Sequence, residues 1–335
     1  MKADRPKISV AIITYNQEST IRQTLDSILV QKGDFELEIV IGEDCSQDNT
    51  YAICQEYAEH YPAIVKLLSN TQNLGIMANF ARVMKSCTGD YVGICAGDDY
   101  WCDEHKLQKQ LDYFHQHQDV GVVSTAGYKL LVQSNTLIPN AVAPTQPKKD
   151  GNIKSYYFSP DYKGGVYAMP LSLLIKRDLL QYVDFDEFVR HVFPVEDYPM
   201  QAILAQHCKW GHIDDLCVVY RVYKESATFI SFDNPKYLQY YKGLADIRRY
   251  LNTLFPSDSC FTEEQLQEEV FYKEFLLYLH QLDYGKAKSL ISKAVAIADF
   301  PKAKQAKRFT KTWLHFVAAH YIKEYRYKQD LKLRT

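Results

Sequence analysis

Two adjacent carboxylates, Asp98 and Asp99, follow directly on the apolar run Tyr91 to Cys95 in the stretch Gly93-Ile94-Cys95-Ala96-Gly97-Asp98-Asp99-Tyr100-Trp101. Strands of an open α/β sheet present ligand-facing groups beyond their carboxyl ends, which is where a metal or a phosphate would be handled. Two neighbouring acids are costly there unless something positive lies between them. A hard divalent cation, Mn²⁺ or Mg²⁺, bridging carboxylate and substrate phosphate oxygens, suits such a pair. The competing reading is a turn that caps the helix starting near Asp103, because Asp favours turns for backbone reasons.

The elements that must position this pair follow from periodicity. Ile8 to Thr14, Glu38 to Gly42, Val65 to Ser69, Tyr91 to Cys95 and Val120 to Ser124 read as strands. They alternate with helical patterns over Ser19 to Val30, Asn49 to His60, Ile76 to Ser86 and Asp103 to His117. Such alternation predicts βαβ units, and so an α/β fold with a largely parallel sheet flanked by helices. Gln133 to Gly165 breaks the pattern and reads as a long binding loop or lid. Met169 to Ile175 and Cys217 to Val222 read as further strands, with Tyr198 to Gln206 a helix between them. From Pro235 onward the pattern is helical, which places a domain boundary near Asn234 and divides the chain into 1–234 and 235–335.

Composition narrows the function. The 335 residues carry a net charge of −2, which argues against nucleic acid as a partner. Ten basic and two acidic residues between Pro301 and Thr335 give that segment a local charge of +8. Phe309, Trp313, Phe316, Val317, His320 and Tyr321 share one helical face there. That face suits either peripheral contact with an anionic membrane surface or packing on the domain. The eight cysteines contain no CxxC pair, which points to reduced thiols in a cytoplasmic protein. No signal peptide and no run of about 20 apolar residues is visible.

The first strand turns at Thr14-Tyr15-Asn16-Gln17-Glu18, without glycine, so a dinucleotide fingerprint is missing. No phosphate-binding P-loop is found either. A diphosphate bound without these loops needs another cation, and Asp98 with Asp99 offers a place for one. The histidines show no zinc spacing.

At this point several ordered blocks carry a resemblance: Ile12-Ile13-Thr14-Tyr15-Asn16, Ile41-Gly42-Glu43-Asp44-Cys45-Ser46-Gln47-Asp48, Asn73-Leu74-Gly75, Gly97-Asp98-Asp99-Tyr100-Trp101 and Val195-Glu196-Asp197-Tyr198. From Ile8 to about Thr228 the chain resembles glycosyltransferase family 2, of the GT-A fold and the bacterial surface-polysaccharide type. The resemblance implies that Thr14, Tyr15, Glu18 and Asp44 line the nucleoside of a UDP- or dTDP-sugar, with Asn73 and Asn79 contributing to donor binding. Asp44 has the alternative of capping the next helix. It also implies that Asp98 holds the metal, with Asp99 second or turned toward the sugar, and that Asp197 is the general base of an inverting transfer. Glu196, its neighbour, competes for that role. In Tyr220-Arg221-Val222-Tyr223 the implied role of Arg221 is to meet the diphosphate.

Two departures matter. Ala96 stands where the family's four-residue pattern begins with an acid, and Tyr223 stands where it has a histidine. Gln206-His207-Cys208-Lys209-Trp210 only approximates the Q-x-x-R-W signature of processive synthases, so a single-transfer enzyme is expected. The acceptor implied is a glycan or a lipid-linked oligosaccharide, with the enzyme cytoplasmic or peripheral on the inner membrane face. The alternative is a non-catalytic nucleotide-sugar or glycan-binding protein on the same fold.

Overall fold

The β-branched run Lys7–Thr14 forms β1, whose Ile8, Val10 and Ile12 on one face and Ser9 and Ala11 on the other are buried, so both of its faces are covered. We describe the protein from a computed structural model covering residues 5–140, 151–159, 167–223, 235–258, 261–281, 286 and 289. α1 (Ile21–Leu29), β2 (Glu36–Glu43), α2 (Thr50–His60), β3 (Val65–Ser69), α3 (Ile76–Ser86) and β4 (Tyr91–Ala96) follow in strict alternation. β2 and β4 flank β1 in parallel, and β3 pairs parallel with β2. The carboxyl ends of β2, β1 and β4 therefore lie side by side. Main-chain bonds fix them there: the Asp44 N–H donates to the Thr14 carbonyl at 3.1 Å and the Gly97 N–H to the Ile13 carbonyl at 3.0 Å.

The second half of the sheet is mixed. β5 (Tyr100–Trp101), α4 (Lys106–Gln116), β6 (Val120–Leu131), β7 (Thr136–Asn140), α5 (Lys154–Tyr157), β8 (Leu174–Lys176), α6 (Phe185–Arg190), α7 (Asp197–His207) and β9 (Lys209–Val222) complete it. Among the described residues the strand order is β3-β2-β1-β4-β8-β6-β9-β5, with β7 also paired to β6. β8 is antiparallel to both β4 and β6, while β9 runs parallel to β6 and antiparallel to β5.

Three elements differ from the sequence pattern. The expected loop from Gln133 contains β7, because Asn135 turns the chain in a left-handed conformation (φ 49°) and Thr136 to Asn140 pair back onto β6. The expected strand from Met169 shortens to β8, since Pro170 opens a 3₁₀ turn. β9 begins at Lys209 rather than Cys217, and register shifts against β6 accommodate its length.

α6 ends in a Schellman motif. The Phe193 N–H reaches the Phe188 carbonyl at 3.2 Å and the Val192 N–H reaches that of Val189 at 3.1 Å, with the Phe188 and Phe193 rings in contact. Its left-handed residue is Val192 (φ 51°), a β-branched side chain 73% exposed where glycine is usual. Val192→Gly is therefore expected to stabilise the fold by about 1 kcal/mol, or roughly 2–4 °C in the melting midpoint. A lower midpoint would contradict this account of the turn.

Chain contacts divide the protein into residues 1–229 and 230–335. The boundary expected at Asn234 lies outside the described residues, as does the basic segment 301–335. The second unit contains α8 (Tyr237–Leu254) and α9 (Glu263–His280), joined by ion pairs of Arg248 to Glu269 and Arg249 to Glu263. Among the described residues no helix is long and apolar enough to cross a membrane, and the seven described cysteines are free thiols.

Candidate functional site

The turn from Ala96 to Tyr100 is held by its backbone. Thr20 Oγ1 donates to the Gly97 carbonyl at 2.9 Å, and Thr24 Oγ1 donates to that of Asp99 at 2.6 Å. The Arg221 guanidinium donates to the Asp98 carbonyl and to Gln23 Oε1, with its plane over the Tyr100 ring at 4.8 Å. The Arg221 main-chain N–H completes the clamp by donating to Asp99 Oδ1 at 2.8 Å. Gly97 is required by close approach, since a Cβ there would collide with Gln17 Oε1 and Thr14 Oγ1.

This arrangement separates the two acids. Asp99 is only 3% exposed and is spent on fixing β9 to the turn. Burial and then the Asp98 charge push its carboxyl well above the usual range, against the pull of the Arg221 N–H and guanidinium. The Asp98 carboxylate is half-buried, and burial raises it too, opposed by Arg221 and a hydrogen bond from Gln17. Among the described residues no lysine, arginine or histidine ion-pairs with it.

Among the described residues no group of three or more His, Cys, Asp or Glu side chains is disposed around a common point. Among the described residues the turn offers a divalent cation the Asp98 carboxylate, Asp99 being engaged by the Arg221 N–H. That donor set fits Mg²⁺ or Mn²⁺, which binds through one or two carboxylates and completes its shell with water and substrate phosphate.

At the neighbouring strand ends, the residues expected around the nucleoside mostly hold loops. Asp44 is 3% exposed, and its carboxylate accepts from Asn70 Nδ2 (2.9 Å), Leu74 N (2.8 Å) and Gly75 N (2.9 Å). It thereby pins the 70–75 loop, where Gly75 has φ 82°. Asp44 does not cap α2, whose N-cap residue is Asn49; Asp48 accepts from the Thr50 N–H at 2.9 Å in the turn leading into it. Asn73 is exposed and donates to the Asp44 carbonyl at 3.0 Å. Glu18 ties the first loop to the second by accepting from Asn49 N and Nδ2 at 2.9 and 2.8 Å. Thr14 is buried and donates to Gln17 Oε1 at 2.8 Å. Tyr15, 41% exposed, presents its ring to solvent.

Two of the expected donor residues are engaged within the protein. Asn79 is 2% exposed and donates to the Gly42 carbonyl at 2.8 Å, so it packs α3 on β2. Arg221 is buried with its guanidinium on the Asp98 carbonyl and Gln23, which makes it a clamp on the turn.

Glu196 and Asp197 stand at the start of α7. Asp197 Oδ1 accepts from the Tyr198 N–H at 2.7 Å, so it does take part in capping, through one oxygen. Burial raises both carboxyls, and the Asp197 charge raises Glu196 further. A buried polar network backs them: Tyr157 Oη donates to Gln201 Oε1 at 2.8 Å, and Gln201 Nε2 donates to the Ala168 carbonyl at 2.8 Å. Among the described residues no hydrogen bond joins this pair to the Asp98 turn. Sequence reasoning missed Thr20, Gln23 and Thr24, although Thr20 and Thr24 stand one helical turn apart on the face of α1 that meets the turn.

Acids at the carboxyl ends of parallel strands, on an α/β sheet with this mixed second half, define a GT-A type fold. Solved structures of that kind match. TarS of S. aureus in complex with UDP has a TM-score of 0.55 at 15% identity, covering 92% of this chain and 91% of that one. The mannosyltransferase PcManGT of Pyrobaculum calidifontis, in complex with GDP-Man and Mn²⁺, has a TM-score of 0.51 at 18% identity, covering 95% and 86%. The family model "Glycosyl transferase family 2" matches residues 9–166. Residues 9–166, a little under half of the chain, thus form a glycosyltransferase family 2 domain. Among its relatives, the dTDP-rhamnosyl transferase RfbG of Shigella flexneri is 36% identical over 103 residues, which are 30% of this chain and 35% of that protein. The chain's match spans about a third of the length of such curated relatives, 33% for those that are 40% identical to it.

Proposed function

We propose that the protein transfers a sugar, with inversion and one unit at a time, from a UDP- or dTDP-sugar to a hydroxyl of a glycan acceptor in cell-surface polysaccharide synthesis. One observation carries this reading: the Gly97-Asp98-Asp99 turn is fastened through its carbonyls and Asp99, leaving the Asp98 carboxylate as the group presented at the sheet's carboxyl edge. The names of RfbG and of the UDP-bound TarS support a nucleotide-linked donor.

Asp98 would hold Mn²⁺ or Mg²⁺, which when bound supplies positive charge to the departing nucleoside diphosphate. The Thr20, Thr24 and Arg221 clamp keeps Asp98 in place without reorganisation during transfer. Tyr15 is the exposed ring available to the base, and Asp44 and Glu18 set the loops around it. Asp197 receives the acceptor hydroxyl proton on a carboxylate oxygen while the Tyr198 N–H orients the other. A raised carboxyl suits that task, since it binds a proton more readily than an ordinary aspartate.

Incubation of the full chain with UDP-, dTDP- and GDP-sugars and Mn²⁺ tests the reading. Metal-dependent release of a nucleoside diphosphate is expected. Nucleotide binding without turnover across donors and glycan acceptors would favour the non-catalytic alternative. The acceptor is further proposed to be lipid-linked at the cytoplasmic membrane face, with 301–335 contacting anionic lipid. Deleting Pro301 to Thr335 should abolish binding to anionic liposomes, and unchanged binding would remove that part.

A further inference from the structure

We propose that Gln201 is a positioning residue that holds the base-bearing helix α7 in register with the Asp98 turn, acting through the buried segment Ala168 to Ser172. This rests on the readings of Asp98 as metal holder and Asp197 as base, and adds what fixes one relative to the other. Gln201 stands one helical turn after Asp197 on the same face of α7. It is fully buried, and its amide pairs with both main-chain groups of a single residue. The Ala168 N–H donates to Gln201 Oε1 at 3.2 Å, and Gln201 Nε2 donates to the Ala168 carbonyl at 2.8 Å.

The far end of the segment is fastened to the continuation of the Asp98 turn. Trp101, two residues after Asp99, is 3% exposed; its Nε1 donates to the Leu171 carbonyl and its main-chain N–H to Ser27 Oγ, both at 3.1 Å. Gln110 Nε2 holds the next carbonyl, that of Ser172, at 2.9 Å. The buried Lys106 braces both partners, since its Nζ donates to Gln110 Oε1 at 2.9 Å and lies 4.1 Å from the centre of the Trp101 ring.

Between its two ends the segment has little slack. Ser172 N and Oγ both donate to the Met169 carbonyl, at 2.9 and 2.7 Å, and Pro170 fixes a torsion of the same 3₁₀ turn. The three residues from Ala168 to Leu171 can span at most about 11 Å. Trp101, the segment and Gln201 thus form a short bonded route from the turn to the helix. A displacement of about 1 Å at a reacting centre can cost about a hundredfold in rate, so loosening either end should be read in turnover.

The test is steady-state release of nucleoside diphosphate by the full chain with Mn²⁺. UDP-N-acetylglucosamine, dTDP-rhamnose and GDP-mannose are the donors, with water as acceptor. In Gln201→Leu, kcat should fall tenfold or more while the donor KM and the UDP affinity stay within threefold. Trp101→Phe removes the Nε1 donor at the other end and should also lower kcat; it carries the same reading should Gln201→Leu fail to melt cooperatively. The double variant should be no slower than the slower single one, because a link cut at one end loses nothing more from a second cut. Tyr157→Phe is the control for plain destabilisation. It removes a bond to Gln201 Oε1 but leaves the Ala168 pairing, so it should lower the melting midpoint and keep kcat within threefold.

Unchanged kcat in Gln201→Leu would overturn the proposal. So would losses that multiply in the double variant, a tenfold rise in donor KM, or an equal rate loss in Tyr157→Phe. Unchanged release in Asp197→Asn would instead overturn the base reading on which this rests, a separate result.

Discussion

Asp98→Asn is expected to keep its fold and lose about three orders of magnitude in nucleotide-sugar turnover, a loss of roughly 4 kcal/mol in transition-state stabilisation. The turn's integrity depends on the carbonyls of Gly97, Asp98 and Asp99 and on Asp99 Oδ1, none of which the substitution touches. Asn preserves the shape of a half-buried side chain and removes a charge that no described ion pair compensates. The melting midpoint should therefore hold or rise while the rate collapses. Asp99→Leu is the informative contrast, because it removes the acceptor for the Arg221 N–H and should lower stability as well as rate. Initial rates over a Mn²⁺ series, with melting curves of both variants, check this. A rate for Asp98→Asn within threefold of the parent would leave Asp98 a turn residue only.

Asp197→Asn should lower transfer by 10²- to 10⁴-fold, the range expected for loss of a general base. The pH dependence fixes the sign. Burial raises the Asp197 carboxyl above its ordinary value, so the base form is populated only as pH rises through that raised value. The acid limb of the transfer rate should accordingly lie clearly above the ~3.9 of an unperturbed aspartate.

Stability should run the other way. A carboxyl raised on folding contributes stability that is fully present below its unfolded pKa and is lost as pH rises through the folded value. Activity therefore climbs across the interval in which Asp197 and Glu196 cost the fold stability, and Asp197→Asn should flatten both trends. A Glu196→Gln variant with the larger rate loss would move the base to Glu196.

Much of this site is legible in the sequence because strand periodicity and chain polarity are local properties. The β-branched runs at β1, β2 and β4 announce three buried strands, and the acid pair closing Tyr91 to Cys95 announces the sheet's carboxyl edge. Side-chain direction is a tertiary property and was not legible. Asp44, Asn79 and Arg221 have the residue types that contact nucleotides, yet Asn79 lies against Gly42, Asp44 is turned to the Asn70 to Gly75 loop, and Arg221 reaches back to Asp98 and Gln23. The same holds for Asp99, which a motif cannot distinguish from Asp98. The Thr20 and Thr24 pair did leave a trace, as two small hydroxyls four residues apart on the buried side of α1. β7 was hidden by composition, since Asn, Pro and Thr read as loop where a partner strand, β6, makes them extended.

Calorimetric titration of UDP into the full chain, with and without Mn²⁺, and then into Asp98→Asn, tests the central claim that Asp98 is the metal-holding group of a nucleotide-sugar site. UDP affinity should rise at least tenfold with Mn²⁺ in the parent and show no metal dependence in Asp98→Asn. Equal enhancement by Mn²⁺ in both proteins would contradict it.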